Sequence, residues 1–151
     1  MEKLKTVLLT LGVALLCFSC STTLKVVSPK ANQTSSQEFA LDGGHIKITV
    51  TFNKDVDPST VVVGKTFILQ TEKDPNATGS LNWPNGKTVI FLTTKTTSDL
   101  LDYNPDGSFS LKLIGSDTGN GAIKDKGGKH LDGDSDGADG GDYKTSFVNI
   151  G

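Results

Sequence analysis

The residues best suited to chemistry in this chain form an aspartate-rich segment, residues 132–142. Aspartate stands at every second position at its start, and Gly137 follows where a loop that wraps around a cation must turn sharply. Such a set of oxygen donors is typical of Ca²⁺, because Mg²⁺ demands a stricter octahedron and gives up its water reluctantly. The segment is not an EF-hand, since Tyr143 stands where that loop has its last glutamate. The expected ligands are the side chains of Asp132, Asp134 and Asp136, the backbone carbonyl of Ala138, and the side chain of Asp139 or Asp142. A solvated acidic turn is the alternative interpretation.

Two other groups of polar residues could suggest catalysis, but their spacing favours other roles. His45 and His130 lie in different predicted turns, and a zinc site or a catalytic pair needs ligands that converge. Asp55, Asp57 and Ser59 surround a proline in a segment typical of a turn that closes a strand. We therefore expect surface histidines, a structural turn and no enzymatic activity.

Aromatic residues could bind a sugar by stacking, and two of them are candidates. Trp83 alternates with Leu81, which places it in the predicted core. Tyr103 lies in a polar stretch and is the better candidate for an exposed contact residue.

The N-terminus has the pattern of an export signal. Lys3 and Lys5 precede an apolar run over residues 7–16, and small Ser19 directly precedes Cys20. The run is too short to span a bilayer, so a transmembrane helix is the poorer interpretation. The segment resembles a bacterial lipoprotein signal, in which Cys20 receives a diacylglycerol and becomes the first residue of the mature chain.

The two cysteines, Cys17 and Cys20, also form a C-x-x-C motif that could indicate redox chemistry. Both lie at the end of the signal rather than beside a predicted βαβ unit, which favours lipidation. Residues 21–23 then form a short tether, because four residues reach at most about 14 Å. This tether carries no acidic side chain, which favours the periplasmic side of the outer membrane over the cell surface.

Composition limits the class of protein. The chain has 151 residues and a formal charge of −2, and its basic residues are all lysine. This charge argues against nucleic-acid binding, which needs a basic surface to displace counterions. The length allows a single domain once a signal is removed.

The strand pattern indicates an all-β fold. Residues 46–52 alternate apolar and polar side chains, which is typical of a half-buried strand. Further strands are expected at residues 24–27, 67–69, 81–83, 89–92, 109–113 and 143–150, with one helical turn at 97–101. In the polar stretch 30–44, Phe39 and Leu41 are expected to point into the core, and Asn85-Gly86 carries a hairpin signal. About seven strands at this spacing predict a Greek-key sandwich.

Several segments together resemble the bacterial Ig-like domain of S-layer and other surface proteins. The most specific one is residues 48–60, which read ITVTFNKDVDPST. The other matching segments are residues 26–29, 67–69, 88–91, 122–125, 131–134 and 140–143. The resemblance implies an immunoglobulin-like Greek-key sandwich of about seven strands, with no single activity attached to it.

These observations predict a chain in three parts: a signal peptide at residues 1–19, a lipidated N-terminus with tether at 20–23, and an Ig-like domain at 24–151. We expect a lipid-anchored binding or structural module of the cell envelope that acts through protein or glycan contacts, as in adhesion. A carbohydrate-binding accessory lipoprotein is the alternative, and an exposed aromatic platform on one sheet face would favour it.

Overall fold

A computed structural model describes residues 22–31, 34–35, 39–102, 107–119 and 121–149. Within these residues, no helix has the length and apolar character needed to cross a bilayer. The helical elements are a 3₁₀ turn, Pro58–Thr60, and the single turn α1, Thr97–Leu100, where one was predicted. The strands are β1 (Val26–Ser28), β2 (Thr34–Ser35), β3 (Phe39–Asp42), β4 (His45–Phe52), β5 (Phe67–Thr71), β6 (Gly79–Asn85), β7 (Thr88–Thr96), β8 (Gly107–Leu113) and β9 (Tyr143–Asn149).

The strands form two sheets that pack as a sandwich. One sheet has the order β1-β4-β7-β6, with β3 also paired to β4, and the other has the order β2-β9-β8-β5. All of these pairs are antiparallel except β2 with β9, which is parallel. The order β1-β4-β7-β6 opposite β9-β8-β5 is that of an immunoglobulin sandwich, with strands A-B-E-D facing G-F-C. The predicted fold class is therefore confirmed.

Alternation along the strands fills the space between the sheets. In β4, Ile46, Ile48, Val50 and Phe52 are buried, and the residues between them face solvent or are half-buried. Because successive side chains of a strand point to opposite faces, this pattern gives each sheet one apolar face. The inner face of the second sheet is supplied by Phe67, Leu69, Phe109, Leu111, Leu113, Tyr143 and Phe147.

The stretch before β4 differs from expectation at one position. Phe39 lies over the core as predicted, with its ring centroid 5.0 Å from that of Phe109. Leu41 was expected in the core but is 50% exposed. Residues 39–42 form strand β3, a hairpin partner of β4 at the edge of the sheet, so this segment is not simply a loop. Of the four residues of β3, Phe39 is the one that packs against the core.

The hairpin predicted at Asn85-Gly86 joins β6 to β7, with its turn one residue further along. Asn85 pairs with Thr88, so Gly86 and Lys87 occupy the turn, and the Asn85 side chain accepts a hydrogen bond from the Lys87 amide at 2.8 Å. Trp83 in β6 is half-buried and packs against the core, as expected. Tyr103 lies outside the described residues.

The N-terminal segment crosses from one sheet to the other. Strand β1 pairs with the end of β4, and after Pro29 the chain enters the second sheet, where β2 pairs with β9. The hydroxyl of Tyr143 donates a hydrogen bond of 2.5 Å to the Pro29 carbonyl at this crossing. One continuous stretch therefore covers an edge of each sheet.

A long connection, residues 114–142, links β8 to β9 and contains the aspartate-rich segment. It is held by isolated backbone bridges to the sandwich, Val56 with Asp125 and Leu24 with Leu131. Ile123 and Leu131 are fully buried and join the core. The connection is thus anchored on apolar residues, and its aspartates follow directly after Leu131.

Candidate metal centre

Asp132 is a buried carboxylate at the base of the aspartate-rich segment. Its side chain has no exposed surface. Oδ2 accepts hydrogen bonds from the Thr23 hydroxyl at 2.8 Å and the Gly137 amide at 3.1 Å, and the Lys25 Nζ lies 3.1 Å away. Oδ1 is also buried, yet no described residue donates a hydrogen bond to it. One oxygen of Asp132 is thus fully engaged, while the other has no partner among the described residues.

The surroundings of Asp132 keep it ionised. Burial raises the pKa of this carboxyl, but hydrogen bonds from Thr23 and Lys25, together with the charge of Lys25, outweigh burial. The pKa of Asp132 is therefore below its ordinary value. A carboxylate that is charged at neutral pH can serve as a cation ligand.

Asp134 and Asp136 bring two more carboxylates to the same place. One oxygen from each of Asp132, Asp134 and Asp136 lies within 4.8 Å of the others. Both added side chains are on exposed residues, so the cluster is open to solvent. The Asp136 Oδ1 accepts a hydrogen bond from the Ala138 amide at 2.7 Å, which turns this carboxylate back over the loop. The three aspartates predicted from alternate spacing are thus brought together.

Glycines allow the backbone of the segment to fold this tightly. A Cβ on Gly141 would collide with the carboxylate of Asp134, and Gly141 has a φ of 79°, which side-chain-bearing residues rarely adopt. A Cβ on Gly133 would collide with the amide of Tyr143, and one on Gly115 with the carbonyls of Gly141 and Leu131. The base of the segment is therefore packed backbone against backbone.

Asp142, one of two residues considered for completing the ligand set, has a different role in this geometry. Its Oδ1 accepts hydrogen bonds from the Gly115 amide at 3.2 Å and from the Ser116 hydroxyl at 2.6 Å. Its Oδ2 pairs with the Lys112 Nζ at 2.9 Å. Burial raises the pKa of Asp142, but the bonds from Lys112 and Ser116 prevail and lower it to about 2. Both oxygens are committed to the sandwich, whereas Asp139 remains on the exposed part of the loop.

The N-terminal segment is the part of the centre that sequence reasoning missed. The Asp132 amide donates to the Leu24 carbonyl at 2.8 Å, and Leu24 pairs with Leu131 and is fully buried. The Asn53 side chain adds a hydrogen bond of 2.9 Å from its Nδ2 to the Thr23 carbonyl. Residues 23–25 lie more than a hundred positions from the segment, and no sequence motif links the two.

The residues that could have suggested catalysis make contacts that stabilise the fold. His45 contacts the Lys95 carbonyl at 3.2 Å, and His130 forms a backbone bridge with Lys124. The Ser59 hydroxyl donates to Asp57 Oδ1 at 2.7 Å, and the Ser59 amide donates to the same oxygen at 3.0 Å. These bonds lower the pKa of Asp57 and cap the 3₁₀ turn. Cys20 lies outside the described residues.

Comparison with solved structures shows that the sandwich has a known fold. Domains 1–6 of the surface layer protein SbsC superpose with a TM-score of 0.51 and 19% identity over 85% of this chain. The chain shares its fold with a part of SbsC. The N-terminal part of the bacterial S-layer protein SbsC gives a TM-score of 0.49 and 20% identity, again over 85% of this chain.

The likeness to SbsC is limited in extent. The chain spans 14% of the length of the six-domain SbsC structure and 24% of the N-terminal one. No protein-family model matches the chain, and no curated protein matches it significantly.

Proposed function

We propose that this chain is a lipid-anchored structural module of the bacterial cell envelope, held by a diacylglycerol on Cys20. The observation that carries the proposal is the short distance in sequence between that cysteine and the sandwich. Leu24 is fully buried and bridged to Leu131, so the sandwich includes a residue only four positions after Cys20. A lipid on Cys20 would hold the domain directly against the membrane surface. The fold shared with a surface layer protein supports this envelope role, and residues 21–23 favour the periplasmic side of the outer membrane.

The anchor is tested by replacing the acceptor cysteine. Cys20→Ala should stop lipidation, so that the protein leaves the membrane fraction or accumulates as unprocessed precursor. Cys17→Ala is the matched control, because it removes the neighbouring thiol and should leave processing and membrane retention unchanged. The measurement is fractionation with labelled palmitate. Unchanged labelling and retention of Cys20→Ala would contradict the proposal.

The outer face of the β2-β9-β8-β5 sheet offers a surface for contacts. Gln70, Ser110 and Ser146 stand side by side across β5, β8 and β9. The small serines leave a shallow trough of two adjoining grooves, of about 330 and 370 Å³, and the second is flanked by Lys112 and Lys144. Hydroxyl, amide and ammonium groups can donate hydrogen bonds along an extended chain. We infer that this trough contacts a polar envelope polymer, either polypeptide or glycan.

Filling the trough should abolish that contact. Ser110→Tyr places a large ring in the trough, and its neighbours Phe109 and Leu111 keep their places in the core because they point inward. Thr49→Tyr, on the exposed face of β4 in the other sheet, is the matched control. We expect only Ser110→Tyr to lose co-sedimentation with membrane-free envelope material, to which a lipid anchor does not contribute. Purified peptidoglycan and an envelope protein fraction, used separately, identify the class of partner. Equal retention of both variants would show that another surface makes the contact.

A carbohydrate-binding accessory role receives less support. Stacking on sugars needs an exposed aromatic ring, and each aromatic side chain in the described part of the chain is buried or half-buried. Trp83 packs against the core. The structural module is therefore the function we favour.

A further inference from the structure

The buried carboxylate of Asp132 has an oxygen that the fold leaves without a partner. The side chain has no exposed surface, and Oδ2 is held by Thr23, Lys25 and the Gly137 amide. Oδ1 receives no hydrogen bond from any described residue. Buried polar atoms in native proteins are almost always paired, and an unpaired buried oxygen calls for a bound water or ion.

The neighbouring carboxylates have the spacing that one ion requires. Two oxygens bound to the same Ca²⁺ at about 2.4 Å are at most about 5 Å apart. The oxygens offered by Asp132, Asp134 and Asp136 all lie within 4.8 Å of one another. Asp134 and Asp136 are exposed, so an ion and its waters can enter from solvent.

The charge of the cluster favours a divalent cation bound through oxygen. Three carboxylates and the single ammonium of Lys25 leave an excess of negative charge that a divalent ion would neutralise. The cluster consists of aspartates alone, whereas zinc sites typically include histidine or cysteine among their ligands. An irregular loop with several carboxylates suits Ca²⁺, which tolerates flexible geometry, better than Mg²⁺.

We propose that Asp132, Asp134 and Asp136 bind one Ca²⁺, and that this ion locks the N-terminal segment, residues 23–25, onto the sandwich. Asp132 does both tasks, because its Oδ2 holds Thr23 and Lys25 while its Oδ1 has no donor among the described residues. Its amide also donates to the Leu24 carbonyl. An ion bound to the Asp132 carboxylate would hold this side chain in place, and residues 23–25 are attached to it. The idea that the ion holds this segment against a force from the membrane rests on the proposed lipid anchor. The metal site itself does not depend on that anchor.

Calcium binding is tested on the chain isolated from membranes in mild detergent, whether or not Cys20 carries lipid. Calorimetric titration with CaCl₂ should show one ion per chain, and magnesium should bind more weakly. Amide hydrogen exchange should slow at Asp132, which donates to Leu24, and at Asn53, which donates to the Lys25 carbonyl at 3.0 Å. Absence of binding up to roughly 10 mM, beyond the range of weak extracellular sites, overturns the metal site.

Two variants distinguish calcium binding at this site from non-specific attraction of calcium to the acidic loop. Asp134→Asn should weaken calcium binding about tenfold or more, because it removes one ligand charge. Asp117→Asn removes the same charge from an exposed position of the same connection, outside the cluster, and should bind as the parent does. Equal affinity of the two variants overturns the site. Binding with unchanged exchange at Asp132 and Asn53 overturns the lock. Calcium binding by a Cys20→Ala chain that has lost its membrane attachment supports the site independently of the anchor.

Discussion

Replacing Phe52 with alanine is expected to lower the free energy of unfolding by about 3–5 kcal/mol. Phe52 is 1% exposed and lies at the end of β4, where β4 pairs with β1. Truncation removes a buried ring and leaves a cavity that surrounding strands, fixed by their hydrogen bonds, fill only in part. Since small domains have about 5–15 kcal/mol of stability in total, the loss should be large. Chemical denaturation followed by tryptophan fluorescence measures it.

Thr49→Ala is the control for this prediction. Thr49 belongs to the same strand but is exposed, so its truncation should change stability by no more than about 0.5 kcal/mol. If Phe52→Ala unfolds at the same denaturant concentration as Thr49→Ala, the packing of β4 described above is wrong.

Replacing Asp142 with asparagine is expected to cost about 2 kcal/mol at neutral pH. The carboxylate pairs with Lys112 at 2.9 Å and accepts hydrogen bonds from Ser116 and Gly115, which lower its pKa from 3.8 to about 2. Asparagine keeps the shape of the side chain but loses the charge. It leaves Lys112 unpaired and weakens the attachment of the end of the long connection to β8 and to Ser116. Thermal unfolding at neutral pH measures the loss.

The same pKa shift fixes the direction of the pH dependence. Because the folded-state pKa of Asp142 lies below the unfolded value, its contribution is fully present above about pH 4–5 and is lost as the pH falls through about 2. The difference in stability between the parent and Asp142→Asn should therefore shrink over this range. Asp117→Asn, at an exposed position in the same connection, is the control for the loss of one negative charge. A gap between parent and Asp142→Asn that is independent of pH would contradict this account.

Sequence alone predicted the parts of the fold that depend on local patterns. Residues 46–52 alternate strictly, and they form β4 with the expected side buried. Leu41 follows the same kind of pattern and is on the same face of β3 as Phe39, but it lies near the end of the strand, beside the hairpin turn at residues 43–44, and is 50% exposed. Burial of an alternating residue thus depends on its position in the finished sheet, which the local pattern does not contain. The crossing of the N-terminal segment at Pro29 depends on distant pairings with β4 and β9 and left no local signal.

The candidate metal centre was likewise predicted only as far as local spacing allows. The alternate spacing identified Asp132, Asp134 and Asp136, which the structure brings within 4.8 Å. Spacing could not assign Asp142, because the partners that turn it away, Lys112 and Ser116, come from β8 and the start of the long connection. It also gave no indication that Asp132 is buried by contacts from the far N-terminus. Calcium binding by these residues stays a prediction.

The crossing of the N-terminal segment bears on self-association. An uncovered edge strand presents unpaired amides and carbonyls, which pair readily with strands of other chains. Strand β1 covers the end of β4, and β2 covers β9, so one continuous stretch shields both layers of the sandwich. If this stretch came loose, both layers would gain an open edge at once. The N-terminal segment therefore also protects the domain against aggregation.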